Sequence, residues 1–488
     1  MKERIQKALQ LIKSNPIYVY IFFYFIFLVI LCFFRHASAD ESYYLRETLL
    51  ISELLKHGEW VGNYGIGLHG FLFKLPVALI YILLGRPSVF VATLFTILLN
   101  ISSLVIFYNL VKRLFGKENY ASWATVLLSV VFHFLNTSIS FNRDIPAVFA
   151  VLLFLFLFFN KANTWKIGIS LLLLLEAKEH VFLTVAPVFA IFTFIDHFYF
   201  RDISSRLEKL KSLLSELFKG YFLSILWIIL MFTTSIVPMN MFIASISGQV
   251  NYEVNWNRSQ FSTMVATDNL MGAQSREIPL ISITGCLTND GDQTSEKIQE
   301  TNMSKSNSLK ICTFVNVLNV IIGYIGKILY PRTFSFISIP KIIVLPSIII
   351  AYSLQKKWFK EKDKKVVLPI ILILNLLFYI LRASHGRYLL GVAPIFVLLF
   401  IMFLKGGLKK PIYFRNTLIV TTIFVFLGLF FESTFFIQKA ILEISLLILF
   451  WSIWLFRKNE KLLNISKTFF FITLVSGMFL ANLAYSYS

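Results

Sequence analysis

Long apolar runs separated by short polar blocks repeat along the whole 488-residue chain. A helix needs about 20 apolar residues to cross the hydrocarbon core of a bilayer, and many of these runs approach that length. The pattern predicts spans over 17–34, 89–110, 121–135, 145–159, 167–175, 181–200, 221–238, 334–354, 366–381, 388–404, 417–431, 436–456 and 469–484. Residues 71–84 form a shorter apolar run that begins amid His69, Gly70 and Lys74. This run reads as an interfacial helix on the outer face. The expectation is an all-α integral membrane protein with about 13 crossings. It is organised as an N-terminal membrane module over 1–238 with a first external loop over 35–88, an external loop or small subdomain over 239–332, and C-terminal spans over 333–488. Within the polar stretch, 314–329 reads as a further interfacial helix.

Ala37-Ser38-Ala39 before Asp40 imitates a signal-peptide cleavage site. The preceding apolar core exceeds the usual signal length of about 7 to 15 residues, so it reads as an uncleaved first span. Composition agrees: 57% of residues are hydrophobic and 15% charged, which excludes a water-soluble fold.

A net charge of +20 would fit a nucleic-acid partner if the charge formed one basic face. Instead, seven short blocks between apolar runs (2–13, 112–117, 161–166, 201–219, 356–365, 405–415 and 457–467) hold 28 of the 46 Lys and Arg. Placed on one side of the membrane, they give the positive-inside pattern, with a cytoplasmic N-terminus and anionic membrane lipids as the partner of the charge. Nucleic acid is excluded on this reading. Three cysteines show no zinc spacing, and a bridge between Cys286 and Cys312 stays open.

This topology gathers acids and bases at one external face. Asp40 and Glu41 follow the first span, Asp144 lies in the second external turn, and Glu176, Lys178, Glu179 and His180 separate two spans. Arg382, His385, Arg387 and Tyr388 join two later spans. Ionisable groups at that depth mark functional sites or self-neutralised networks. Carboxylates that accept a proton, beside cations that hold a phosphate, are the groups that sugar transfer from a lipid phosphate requires.

Several motifs, in order, resemble the GT-C membrane glycosyltransferases, specifically the group with protein O-mannosyltransferases and the lipid A aminoarabinose transferase. They are Asp40-Glu41-Ser42-Tyr43, Gly67-Leu68-His69-Gly70 through Lys74-Leu75-Pro76 to Leu84-Gly85, Lys112-Arg113-Leu114-Phe115-Gly116, Arg143-Asp144, Lys178, and Arg387-Tyr388-Leu389 with Pro394. His69-Gly70 departs from the Lys-Pro or Pro-Pro pair common there.

The resemblance implies a GT-C bundle and inverting direct displacement on the external face. Asp40 would be the leading catalytic carboxylate, with Asp144 and Glu41 assisting. Lys178, Arg382, Arg387, His180, His385 and Lys74 would contact donor phosphate, and Tyr43, His69 and Tyr388 substrate. The implied donor is a sugar on undecaprenyl or dolichyl phosphate, and the implied acceptor a lipid, glycan or protein. The resemblance fixes no cofactor, and a divalent metal stays open. With no retention signal in view, the expected membrane is the bacterial inner membrane. The alternatives are a glycolipid flippase or transporter, or a polysaccharide polymerase or ligase.

Phosphatase reporters fused in the 112–117 and 161–166 turns should be inactive and one fused near Asn142 active; the reverse pattern would invert the orientation.

Overall fold

The computed structural model describes residues 16–34, 39–59, 70–131, 134–200, 205–234, 341–361, 363–382, 390–406, 411–430 and 437–487. Every regular element among them is helical. The N-terminal part runs α1 (Pro16–Leu31), α2 (Ala39–Lys56), α3 (Phe71–Leu84), α4 (Val89–Phe115), α5 (Glu118–Val130), α6 (Phe134–Ser138), α7 (Asp144–Phe159), α8 (Thr164–Ala177), α9 (Glu179–Ile195) and α10 (Arg206–Thr234). A π turn, Asp196–Phe200, follows α9 directly. The C-terminal part runs α11 (Lys341–Lys360), α12 (Val367–Arg382), α13 (Ala393–Gly406), α14 (Pro411–Phe430), α15 (Ile437–Leu455) and α16 (Glu460–Tyr487).

Local chemistry sets several of these boundaries. The Ser88 hydroxyl caps α4 by accepting from the Val91 amide at 3.4 Å, and Gly116 closes that helix with φ 66° and an N–H bond to the Lys112 carbonyl at 2.8 Å. Gly70 and Gly85 bracket α3 with φ of 78° and 68°, left-handed values that side chains other than glycine adopt at a cost. Lys178 is extended, with φ −155°, and is the single residue between α8 and α9.

Among the described residues, five helices are long and apolar enough to cross a membrane: Val89–Phe115, Val181–Tyr199, Arg206–Leu230, Ile342–Lys360 and Glu460–Leu480. Six shorter apolar helices accompany them. The chain is an integral membrane protein. Its outward side chains suit lipid, with Leu83, Ile448 and Leu480 each more than 60% exposed. Inside, α4 packs on α1, α5 and α7, α7 on α8, and α8 on α10; α5 reaches α13 and α16, and α9 lies on α12. One apolar core therefore runs from Ile17 to Met478, with Phe403, Phe414 and Phe450 among its largest buried rings.

Four expectations are corrected. The segment after the first span is not loop up to Phe71, because Ala39–Lys56 is helix. Its inner stripe includes Glu41, Thr48 and Ser52, so hydropathy gave no sign of burial. The third span does not continue to Leu135; it stops at Val130, and α6 occupies part of the predicted turn. The fifth span is not limited to its nine apolar residues, because α8 takes in Thr164 to Ala177 with Glu176 inside it. Two later helices start in basic blocks, α10 at Arg206 and α16 at Glu460, because charged side chains at a helix end can remain outside the apolar layer. The predicted helix at 314–329, the stretch 239–332 and the pair Cys286 and Cys312 lie outside the described residues.

Gly168 is where α8 meets α10 most closely: a Cβ there would lie 2.9 Å from the Lys219 carbonyl oxygen and 3.0 Å from that of Gly220. Neither backbone atom can yield without moving a helix, so Gly168→Val should destabilise the protein by about 1–3 kcal/mol. Thermal unfolding of the purified protein in detergent measures this, and an unchanged Tm would refute the tight crossing.

Candidate active site

The ionisable cluster assembles where four helix ends meet. The helix α2 lies against α3, and α3 against α8 and α4. Small apolar clusters secure this cap: Ile51, Leu54, Phe71 and Ala78 in one, and Val77, Tyr81, Ala92 and Phe141 in another. The cap brings α2 over the start of α7 and the end of α8.

Two lysines are buried here, each against a carboxylate. Lys178, 6% exposed, forms an ion pair with Asp144, the first residue of α7. The Asp144 amide in turn donates to Asn142 Oδ1 at 2.9 Å. Lys74, 2% exposed, pairs with Glu47 on α2, and its Nζ lies 5.1 Å from the centroid of the Tyr44 ring. Burial pushes the Lys74 ammonium below the ordinary lysine value, and the neighbouring Glu47 opposes that shift.

Two more carboxylates are held by donors from other elements. Glu41, fully buried, accepts the Phe141 amide at 3.0 Å. Glu176 accepts the Leu72 amide at 3.2 Å and the Trp227 indole N–H on its other oxygen. Arg143 donates from Nε to the Tyr44 hydroxyl at 2.9 Å. Gly70 makes this approach feasible: a Cβ on it would come within 3.3 Å of the Arg143 side chain and 3.7 Å of the Glu176 carbonyl oxygen.

Of the predicted residues, the structure joins Asp144 to Lys178 and places Lys74 and Glu41 in the same cap. Glu41 is a buried, hydrogen-bonded carboxylate and not a solvated acid at a helix exit. Asp40 lies in the first turn of α2, and Tyr43 follows on that helix, 51% exposed and edge-on to Tyr44. His180 lies in the first turn of α9 and Arg382 ends α12. His69, His385, Arg387 and Tyr388 lie outside the described residues. Among the described residues, no group of three or more His, Cys, Asp and Glu is arranged to hold a metal ion.

Sequence reasoning missed Glu47, Tyr44 and Trp227. Glu41, Tyr44 and Thr48 are spaced three and four apart, which puts them on one helix face, but that signal requires knowing that α2 is a helix. Trp227 sits in an apolar run and looks like any lipid-facing aromatic.

Residues 68–218 match the family model of dolichyl-phosphate-mannose-protein mannosyltransferase. The matched segment contains Lys74, Arg143, Asp144, Glu176 and Lys178; Glu41 and Glu47 precede it. This similarity indicates a membrane glycosyltransferase. No curated protein and no solved structure matches the chain.

Removing one partner of a buried ion pair strands the other charge, at a cost of about 3–5 kcal/mol. Lys178→Met and Asp144→Leu should each destabilise the protein by that order, and the double variant should recover most of the loss. Denaturation midpoints of the three variants test this; additive losses would show that the two side chains are not coupled.

Proposed function

We propose that the chain transfers one sugar from a polyprenyl-phosphate donor, undecaprenyl or dolichyl, to a lipid, glycan or protein acceptor on the external face of the membrane. The bundle of this reading has about 13 spans, a cytoplasmic N-terminus and its reaction centre under the α2–α3 cap, in a bacterial inner membrane. The observation that carries it is the coincidence of the family match with the buried cluster: five of the cluster's ionisable residues fall within 68–218. Buried charges destabilise a fold relative to apolar packing, so two lysine–carboxylate pairs in one small cap point to use in binding or chemistry.

The reaction is a single displacement. The acceptor oxygen attacks the anomeric carbon, the bond from that carbon to the phosphate oxygen breaks, and the phosphate leaves with the electron pair. A carboxylate takes the acceptor's proton. Asp40 fills that role in this reading, with Asp144 assisting. Glu41 suits a positioning role, because its oxygen already accepts the Phe141 amide in the segment that leads to Asp144. Lys178 and Lys74 are the cations for the departing phosphate, joined by Arg382 and Arg387, with His180 and His385 beside them. Tyr43, His69 and Tyr388 are assigned to substrate contact. The polyprenyl chain would run along the lipid-facing side of the bundle.

Asp40→Asn removes a proton acceptor with almost no change in volume. It should abolish turnover while leaving donor binding nearly intact, whereas Arg387→Ala should weaken donor binding. The measurement is native mass spectrometry of co-purified polyprenyl-phosphate sugar, followed by its consumption with membrane acceptors. Full activity of Asp40→Asn would remove that residue from the chemistry. Binding without turnover in the unmodified protein as well would favour a flippase.

A further inference from the structure

The helices that carry the Asp144–Lys178 pair at one end enclose a polar cavity at the other. It lies where α7 ends, α8 begins, α9 ends and α10 begins, and has a volume of about 310 Å³. Its walls include Phe158, Phe192, Lys161, Lys364, Asp196 and Glu216. At 1.5 Å per residue, the length of α8 separates the two sites by roughly 20 Å, so no side chain serves both.

Two backbone departures converge on this cavity. Lys161 has φ 52°, and among the described residues it is the one non-glycine with positive φ. Asp196 opens the π turn that runs to Phe200. Strained residues and π turns concentrate at functional sites, and here each brings a charged side chain to the same space.

The charges are divided by element. The lysines come from the turns after α7 and before α12, and the carboxylates from the end of α9 and from α10. Lys364 Nζ lies 5.4 Å from the Phe158 centroid and 5.7 Å from that of Phe192, so this aromatic surface already accommodates an ammonium. Behind the acids, fully buried His197 fixes the wall: its Nδ1 is 2.8 Å from the Thr193 carbonyl oxygen, and its Nε2 is 3.0 Å from Ser212 Oγ and 3.2 Å from Glu216 Oε2.

We propose that this cavity binds a zwitterionic head group bearing a primary ammonium and a phosphate, the chemistry of an ethanolamine phospholipid. The ammonium lies against Asp196 and Glu216, and the phosphate against Lys161 and Lys364, whose ammonium the Phe158 and Phe192 rings hold in place. The lysines and carboxylates balance one another, so a zwitterion adds no net charge between them. An anionic head group has no cation for the carboxylates, and a quaternary ammonium has no N–H to donate. A lipid source fits the position, since the helices that line the cavity also carry outward apolar side chains, with Phe194 and Phe218 45% and 60% exposed. The site is independent of the glycosyl-transfer reading.

The test uses the full chain in detergent with phosphatidylethanolamine, phosphatidylcholine or phosphatidylglycerol of identical acyl chains, and with soluble O-phosphoethanolamine. Native mass spectrometry reads retention, and Tm reads stabilisation. Phosphatidylethanolamine should be retained about tenfold over the other two, the ratio that one charge-assisted hydrogen bond supports. Lys161→Gly removes the charge at a φ that glycine tolerates, and Glu216→Gln keeps an acceptor for His197. Both should erase the preference while leaving Tm in phosphatidylcholine unchanged. Equal or better retention of phosphatidylglycerol would reduce the site to general attraction by basic turns and overturn the proposal. So would parity with phosphatidylcholine, or a preference that survives in both variants. Stabilisation by O-phosphoethanolamine matching that by the lipid would uphold the chemistry and place its source in solution.

Discussion

Charge kept out of water governs this structure. Lys178 and Asp144 lie within the helical bundle at low exposure, and neither can be there without the other, because an unpaired ion in that setting costs several kcal/mol. The position of Lys178 explains how the pair is made. It is the extended residue between α8 and α9, so the helix is interrupted where an ammonium turns toward the first residue of α7. Asp144, at the N-terminus of α7, gains from the helix dipole as well as from the lysine.

The same constraint shapes the cap formed by α2 and α3. Lys74 enters a short apolar helix at a buried position because Glu47 and the Tyr44 ring are supplied from α2. Glu41 reaches the segment before α7 and Glu176 reaches the start of α3 and Trp227 of α10. Each carboxylate thus ties together elements distant in sequence. Polar contacts of this kind specify one arrangement where apolar packing alone would tolerate several.

At the opposite end of α7 to α10 the solution is different. There the acids and lysines are more exposed, the backbone is distorted at Lys161 and Asp196, and a buried histidine braces the wall. A helix bundle in a membrane has two polar ends, and in this chain both hold organised charge. The lipid-facing middle, with side chains such as Ile225 and Ile229 about half exposed, separates them.

The sequence by itself determined the helical class, the membrane environment and most helix boundaries, because run length and charge position are one-dimensional signals set by the thickness of the bilayer and by the headgroups. The apolar run 71–84 coincides with α3 to the residue, since glycines bracket it. Polar residues at span ends also singled out Asp144, Lys178 and Glu41, and the family resemblance added Lys74. Only the tertiary structure decided their partners. The hidden helix α2 supplies Glu47 and Tyr44, and its buried face is too polar for hydropathy to register. Pairing across Asp144 and Lys178, or Glu176 and Trp227, depends on which helix ends meet, and this is fixed by packing between helices that no local pattern encodes.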